Sequence, residues 1–361
     1  MKNVILSVII PYYKGLNYIE KTINSVKTIN NTKEILIIDD GSDDGSFDKL
    51  KELLTSDSEV VLHTKRNGGI ADTKNFGLER AGGKYLFFCD QDDIVVGKTI
   101  DKAIDRLEEN NADAAFFSTE MFYEENRPNK PCDTVLVDKV LDASKVKSEL
   151  LVQTILHRPS QYCTQFMHLW MGVYRRDFIV DNLIGFKSFV DIEDDFLFIV
   201  DVMSDASKVC LLPDVGYMWL QNRQSKSHTT KSIERYMDKS SNLFAYYREV
   251  VGEAGVGTDI SAEVDRYCDQ IQVVEGLYEW ARLPKGELKN SEKENLLAAM
   301  TDRRAKGSFE RYALGDFKRD ETIWKYVHEG KYALAFSYMT LWNHYFEFRK
   351  RAGAFVWGKL R

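Results

Sequence analysis

Apolar residues follow two rhythms along this chain. In the first 120 positions, short unbroken apolar runs alternate with stretches whose apolar residues recur every three or four places. Val4 to Pro11, Glu34 to Asp40 and Tyr85 to Cys89 have the continuous apolar character of strands buried on both faces of a sheet, and Val60 to Thr64 is a further strand among them. Between them the pattern predicts helices over Tyr18 to Lys27, capped by Asn17, then from Ser46, and over Ile70 to Arg80. A helix over Lys98 to Glu109 and a strand over Ala114 to Thr119 continue the alternation. Strand and helix alternating through short loops imply an α/β fold, a doubly wound, mostly parallel, Rossmann-like sheet with right-handed crossovers. Its polar motifs then all fall at strand C-termini, on one edge.

The rhythm changes downstream. Residues 120–161 are less regular, with a proline loop at Arg127 to Asp133 and a helix predicted over Ala143 to His157. From Ser232 onward the pattern is helical: Ile233 to Val251, Ser261 to Leu283, Ser291 to Ala305, then an aromatic-rich end, with a linker at Gly252 to Asp259. This divides the chain into an α/β domain over 1–230 and a C-terminal α-helical domain over 231–361.

Composition narrows the function classes. A net charge of −7 argues against a nucleic-acid partner. The five cysteines are widely spaced without a CxxC pair, which fits reduced thiols in a cytoplasmic protein better than disulfides or a zinc site. The N-terminal MKNVILSVIIPYY is short and runs straight into a strand pattern, so it is read as neither signal peptide nor membrane span.

The candidate chemistry gathers at Asp90, Gln91, Asp92 and Asp93, just past the apolar run that ends at Cys89. Ligands of open α/β sheets bind beyond the carboxyl ends of the strands, and clustered carboxylates are commonly neutralised by a hard divalent cation. Position alone also fits a solvated acidic turn. A nucleotidyltransferase would want a glycine-rich basic loop after the first strand, and Pro11 to Gly15 is not one. A phosphoacceptor domain would carry its paired carboxylates after the first strand, whereas Asp39 and Asp40 follow the second.

Four motifs taken together, SVIIPYY from Ser7, EILIIDDGS from Glu34, the run Asn67 to Asp93, and IEDDF from Ile192, resemble the family 2 glycosyltransferases of the GT-A fold. The resemblance covers roughly the first 230 residues. It implies an inverting, metal-dependent transfer of sugar from a UDP-sugar donor to a hydroxyl of a glycan or lipid-linked glycan, in bacterial surface polysaccharide synthesis. It splits the domain into a nucleotide-sugar half, about 1–119, and an acceptor half, about 120–230. Pro11, Tyr13 and Asp40 then flank the uracil, with Asn67, Gly68, Lys74, Asp90 and Gln91 along the donor. Asp92 is the metal ligand, for Mn2+ or Mg2+. The catalytic base is Asp194, with Asp195 as the neighbouring candidate. The chain departs from the family at Tyr13-Lys14, where Tyr-Asn is commoner.

Three further features extend the reading. Arg223, Lys226 and His228 stand where the family closes a stretch over the diphosphate, the first two as donor-binding groups and His228 as a metal ligand. Trp170 offers a stacking face to the acceptor, and a core tryptophan is its plain alternative. The stretch from Phe336 to Arg361 interleaves aromatics with Arg349, Lys350, Arg351, Lys359 and Arg361, a pattern suited to peripheral contact at the inner face of the membrane or to packing within the helical domain. The alternative function is a catalytically inactive GT-A-like protein that binds nucleotide-sugars.

Overall fold

The computed structural model describes residues 4–55, 57–123, 128–164, 168–187, 194–221, 233–314 and 318–351. The chain forms two compact units, the first comprising 1–154, 158–188 and 192–228, the second 155–157, 189–191 and 229–361.

The first unit is built on one sheet. Strands β1 (Leu6–Tyr12), β2 (Lys33–Asp39), β3 (Val60–Thr64) and β4 (Tyr85–Phe88) are linked by helices α1 (Leu16–Val26), α2 (Ser46–Leu54) and α3 (Ile70–Arg80). β1 pairs in parallel with β2 and β4, and β2 with β3, so these strands end on one edge. Every residue of β1 and β4 is buried, as continuous apolar runs require of strands covered on both faces. Helix α1 begins after Gly15, two residues earlier than a cap at Asn17 would place it, and no side chain caps it. Here Lys14 is in the left-handed region (φ 52), and the chain turns into the helix before Asn17 is reached.

The far half of the sheet breaks the parallel rule. After β5 (Ile94–Val95) and α4 (Gly97–Asn110), β6 (Ala114–Phe122) does not pair with β4. The short strand β9 (Gly172–Arg175) lies antiparallel between them. β10 (Lys208–Leu220) then runs parallel to β6, and the order is β3-β2-β1-β4-β9-β6-β10-β5. Two minor strands, β7 (Lys130–Pro131) and β8 (Lys139–Asp142), pair with β6 and β10. Because β9 is reversed, its first residues lie beside the C-terminal end of β4 and against the middle of β6. The region predicted as one helix over 143–157 is instead α5 (Ala143–Lys145), a π-wound stretch (Val146–Leu151) and α6 (Val152–Ile155).

Helices α7 (Arg176–Asp181) and α8 (Asp194–Asp205) follow β9. The rings of Phe88, Tyr174, Phe186 and Phe198 lock α8 to the sheet, with Phe186 stacked on Phe198 at 4.7 Å and Phe88 edge-on to both. Burying each such ring stabilises by about 2 kcal/mol before packing is counted.

The second unit is helical: α9 (Tyr236–Ala254), α10 (Thr258–Arg282), α11 (Glu287–Ala305), α12 (Lys318–His328) and α13 (Tyr332–Arg351). Its core includes a buried amide, Gln270, that donates to the Ser308 and Arg311 carbonyls and accepts from the Ala313 N–H. No described helix is long and apolar enough to cross a membrane.

Candidate active site

The site assembles along the shared edge, beginning where β2 ends. Asp39 accepts from the Ser42 N–H and the Thr64 hydroxyl, fixing the turn that follows. Gly41 makes that turn possible: its φ is +72°, and a Cβ there would stand 2.9 Å from the Asn67 nitrogen. Asp40 takes hydrogen bonds from the Lys65 ammonium (2.6 Å) and the N–H groups of Gly68 (2.9 Å) and Gly69 (3.0 Å), while Asn67 donates to its carbonyl. Burial works against the charge of Asp40, but these donors outweigh it and hold the carboxyl below the usual range. The loop before α3 is therefore drawn around Asp40, and a Cβ on Gly68 would overlap the Asp72 carboxylate.

Pro11 is buried in β1, and Tyr13 emerges half-exposed just beyond it. Gln91 reaches across from the end of β4 and clamps the Tyr13 backbone from both sides, accepting its N–H at 2.9 Å and donating to its carbonyl at 3.3 Å. Lys14 occupies the left-handed region that Asn, the commoner family residue, tolerates better, and its N–H donates to Ser42.

Past Gln91 the carboxylates diverge in role. Asp93 turns inward and accepts from the Tyr217 hydroxyl (2.6 Å) and the Leu220 N–H (2.7 Å). The same hydroxyl oxygen accepts the Asp90 N–H at 3.0 Å, so β10 holds the loop at both ends. Burial raises the pKa of Asp90, Asp92 and Asp93, and the neighbouring charges add to it for Asp90 and Asp93. At Asp90 the Lys74 ammonium pulls downward more strongly than the Asp194 carboxylate pushes upward, and burial keeps the net shift upward.

Lys74 joins α3 to α8. Only 3% exposed, it donates to Asp194 at 3.1 Å and to Asp195. Its ammonium lies 5.4 Å from the centre of the Phe186 ring. Burial disfavours its charge, but Asp195, Asp194 and Asp90 hold its pKa above that of an ordinary lysine. Burial also raises Asp194, and Lys74 pulls it back only in part. Asn75 completes the joint through two 2.9 Å hydrogen bonds with the backbone of Phe186.

Comparison with known proteins locates this geometry in a family. A model described as Glycosyl transferase family 2 matches residues 7–180, the segment that supplies all of the edge up to α7. The chain carries a family 2 glycosyltransferase domain. EpsJ of Bacillus subtilis (strain 168), an uncharacterized glycosyltransferase, is 24% identical over 224 residues, 61% of this chain and 62% of EpsJ. TuaG of the same organism, a glycosyltransferase named for teichuronic acid biosynthesis, is 32% identical over 126 residues, 34% of this chain and half of TuaG. Among solved structures, residues 1–349 of S. aureus TarS in complex with UDP-GlcNAc share the fold at TM-score 0.63 and 16% identity, covering 97% of this chain and 92% of that one.

Within the glycosyltransferase domain, a divalent cation can be tested against the donor set. Among the described residues, no group of three or more His, Cys, Asp or Glu side chains is arranged as a ready-made metal cage. Asp92 nonetheless fits: it is a hard oxygen donor beside two other acids, and burial raises its pKa against the lowering effect of a hydrogen bond from its own backbone. A single carboxylate completed by phosphates and water is the usual way such enzymes hold Mg2+. His228, Arg223 and Lys226 lie outside the described residues, as do the acids preceding Asp194.

The structure brings Lys74, Asp90, Asp194 and Asp195 into one cluster, and Gln91 and Tyr13 into another. It places Asp40, Asn67 and Gly68 in a third. Trp170, immediately before β9, is half-buried and stacks on His168 (4.8 Å) and Tyr217 (5.0 Å), with Trp219 at 6.3 Å. Lys65 and Tyr217 carry the frame yet escape sequence reasoning. Lys65 precedes a recognisable loop, but nothing in the sequence pairs Tyr217 with an acid 124 positions away. Tyr217→Phe keeps the ring and removes the donor to Asp93, so it is expected to cost about 1–3 kcal/mol. Thermal unfolding checks it, and an unchanged transition would show that the hydroxyl is dispensable.

Proposed function

We propose that this domain transfers a sugar from a UDP-sugar to a hydroxyl of a glycan or lipid-linked glycan, with inversion and with the help of a divalent cation. The observation that carries this reading is the convergence of Asp90, Asp194 and Asp195 on Lys74, on the same sheet edge as the Asp40 cradle. The UDP moiety rests on the family motifs and on TarS, whose structure holds UDP-GlcNAc.

Pro11 and Tyr13 flank the base, with Asp40 beneath it. A carboxylate offers about four acceptor positions, and three on Asp40 are taken by the protein, which leaves one for the uracil N–H. Asn67 and Gly68 shape the loop, and Gln91 holds the Tyr13 backbone in place. Asp90 lies nearest the ribose side and Asp92 would hold Mn2+ or Mg2+. When bound, such a cation offsets the charge that gathers on the leaving diphosphate. Asp194 accepts the proton of the acceptor hydroxyl as it attacks the anomeric carbon, and Asp195 serves the same cluster. Trp170, with Trp219 beside it, supplies an aromatic flank for the acceptor. Arg223, Lys226 and His228 take the family's diphosphate-closing place.

The acceptor class follows the family motifs and the teichuronic acid assignment of TuaG. Its setting is the inner face of the cell membrane. There α13 would present Leu334, Leu341 and Tyr345, all exposed, next to the basic run from Arg349.

Slow hydrolysis of UDP-sugars in the presence of Mn2+ tests the function. We expect UDP release from at least one donor, abolished by EDTA. UDP binding without release from any donor would establish the inactive sugar-nucleotide binder instead.

A further inference from the structure

The family motifs put Lys74 beside the donor. The structure gives its ammonium another occupation, for it lies within hydrogen-bond reach of both Asp194 and Asp195. Consecutive helical residues point about 100° apart, so two adjacent carboxylates do not normally address one point. Here both do, and the point is Lys74. Its place is fixed from three sides. The side chain is buried, the Phe186 ring lies against the ammonium, and the next residue, Asn75, pairs twice with the Phe186 backbone. An ammonium has three donors, and two are spent on α8.

We propose that Lys74 is a positioning residue: it gathers Asp194 and Asp195 and sets the direction in which Asp194 meets the acceptor hydroxyl, with little part in holding the donor. This rests on the reading of Asp194 as the base. The physical need is plain, because Asp90, Asp194 and Asp195 are three like charges around one partly buried space. Without a fixed cation among them they would repel one another and turn apart. A base misdirected by even an ångström loses most of its effect on the transition state while the donor site is left as it was.

The test is made on the full chain with the UDP-sugar found by hydrolysis, reading kcat from UDP release and Kd for UDP by calorimetry. Lys74→Met is expected to lower kcat by about 10²-fold and to leave Kd for UDP within about threefold. Since this variant strands buried carboxylates and could fail to fold, Lys74→Met combined with Asp195→Asn is measured beside it. It removes one charge of each sign and should show the same loss of kcat. A Kd for UDP weakened tenfold or more with kcat kept would make Lys74 a donor-binding group and overturn the proposal. Recovery of wild-type kcat in the double variant would also overturn it, reducing Lys74 to a charge balance. Asp194→Asn separates the two levels: if it is inactive while Lys74→Met is active, only the positioning role falls, and if it keeps wild-type kcat the base assignment falls with it.

Discussion

Asp194→Asn is expected to lower kcat by about 10²-fold or more while Kd for UDP stays nearly unchanged. A sugar or water hydroxyl has a pKa far above neutrality, so a base matters only as the new bond forms, and its loss appears in the transition state and not in donor binding. Asp195→Asn should cost less, since its side chain is about a third exposed and Asp194 is the more enclosed of the pair. The pH profile carries a second signature. Burial raises the pKa of Asp194, and a base works only when deprotonated, so kcat should fall on the acid side at a higher pH than an ordinary aspartate would give. In Asp194→Asn that acid limb should vanish along with the rate. If Asp195→Asn proves the inactive variant, the base lies one position further along α8. If both remain active, an inverting general-base mechanism is wrong for this protein.

Removing the carboxylate at Asp92 should be at least as damaging, and the reason can be read in stability as well as in rate. Burial raises the pKa of Asp90, Asp92, Asp93 and Asp194 in the folded chain. For an acid whose folded pKa lies above its unfolded one, the stabilising contribution is complete only below the unfolded pKa and is lost as pH rises through the folded value. Near neutrality the ionised cluster therefore weighs against folding. A divalent cation should relieve this, and at 100 times its Kd binding is worth about 2.7 kcal/mol. Mn2+ should thus raise Tm at neutral pH, with a smaller effect as the pH falls into the carboxylate range. Asp92→Asn should abolish turnover and flatten the Mn2+ dependence of Tm, while the metal-free protein becomes no less stable. Full activity of the variant, or of the wild type in EDTA, would remove Asp92 from the metal site.

What could be read from the sequence, and what could not, follows the range of the interactions involved. β3 and α3 fall where the pattern puts them, Val60–Thr64 and Ile70–Arg80, because a short β-branched run and a stretch opened by a glycine loop are local signals, although no residue of β3 is fully buried. The acidic motifs were legible as local patterns too, since Asp39–Asp40 and Asp90–Asp93 close apolar runs and Asp194–Asp195 open one. β9 was hidden: four residues inside HLWMGVYRRDF show no alternation, and only pairing with β4 and β6 makes them a strand. The partition of the acidic run was hidden too. Asp93 is turned inward by Tyr217 and Leu220, residues on a strand far downstream, and no spacing within Asp90 to Asp93 tells it apart from Asp92. Lys74 was visible as a charge near the nucleotide loop, but its carboxylate partners lie 120 and 121 positions away.

The reversed strand β9 also bears on how the chain is made. β4 and β6 form no strand pair with each other, and it is residues 172–175 that join them into one sheet. During synthesis both edges therefore stay open while some fifty further residues, Tyr123 onward, leave the ribosome. Open apolar edges are templates for pairing with other chains, and contacts that wait on distant sequence close slowly. The nucleotide half is thus poorly suited to folding ahead of the acceptor half. Truncation before Gly172 removes β10 as well as β9, leaving β4 open on one side and β6 without either of these neighbours, in place of a smaller version of the domain.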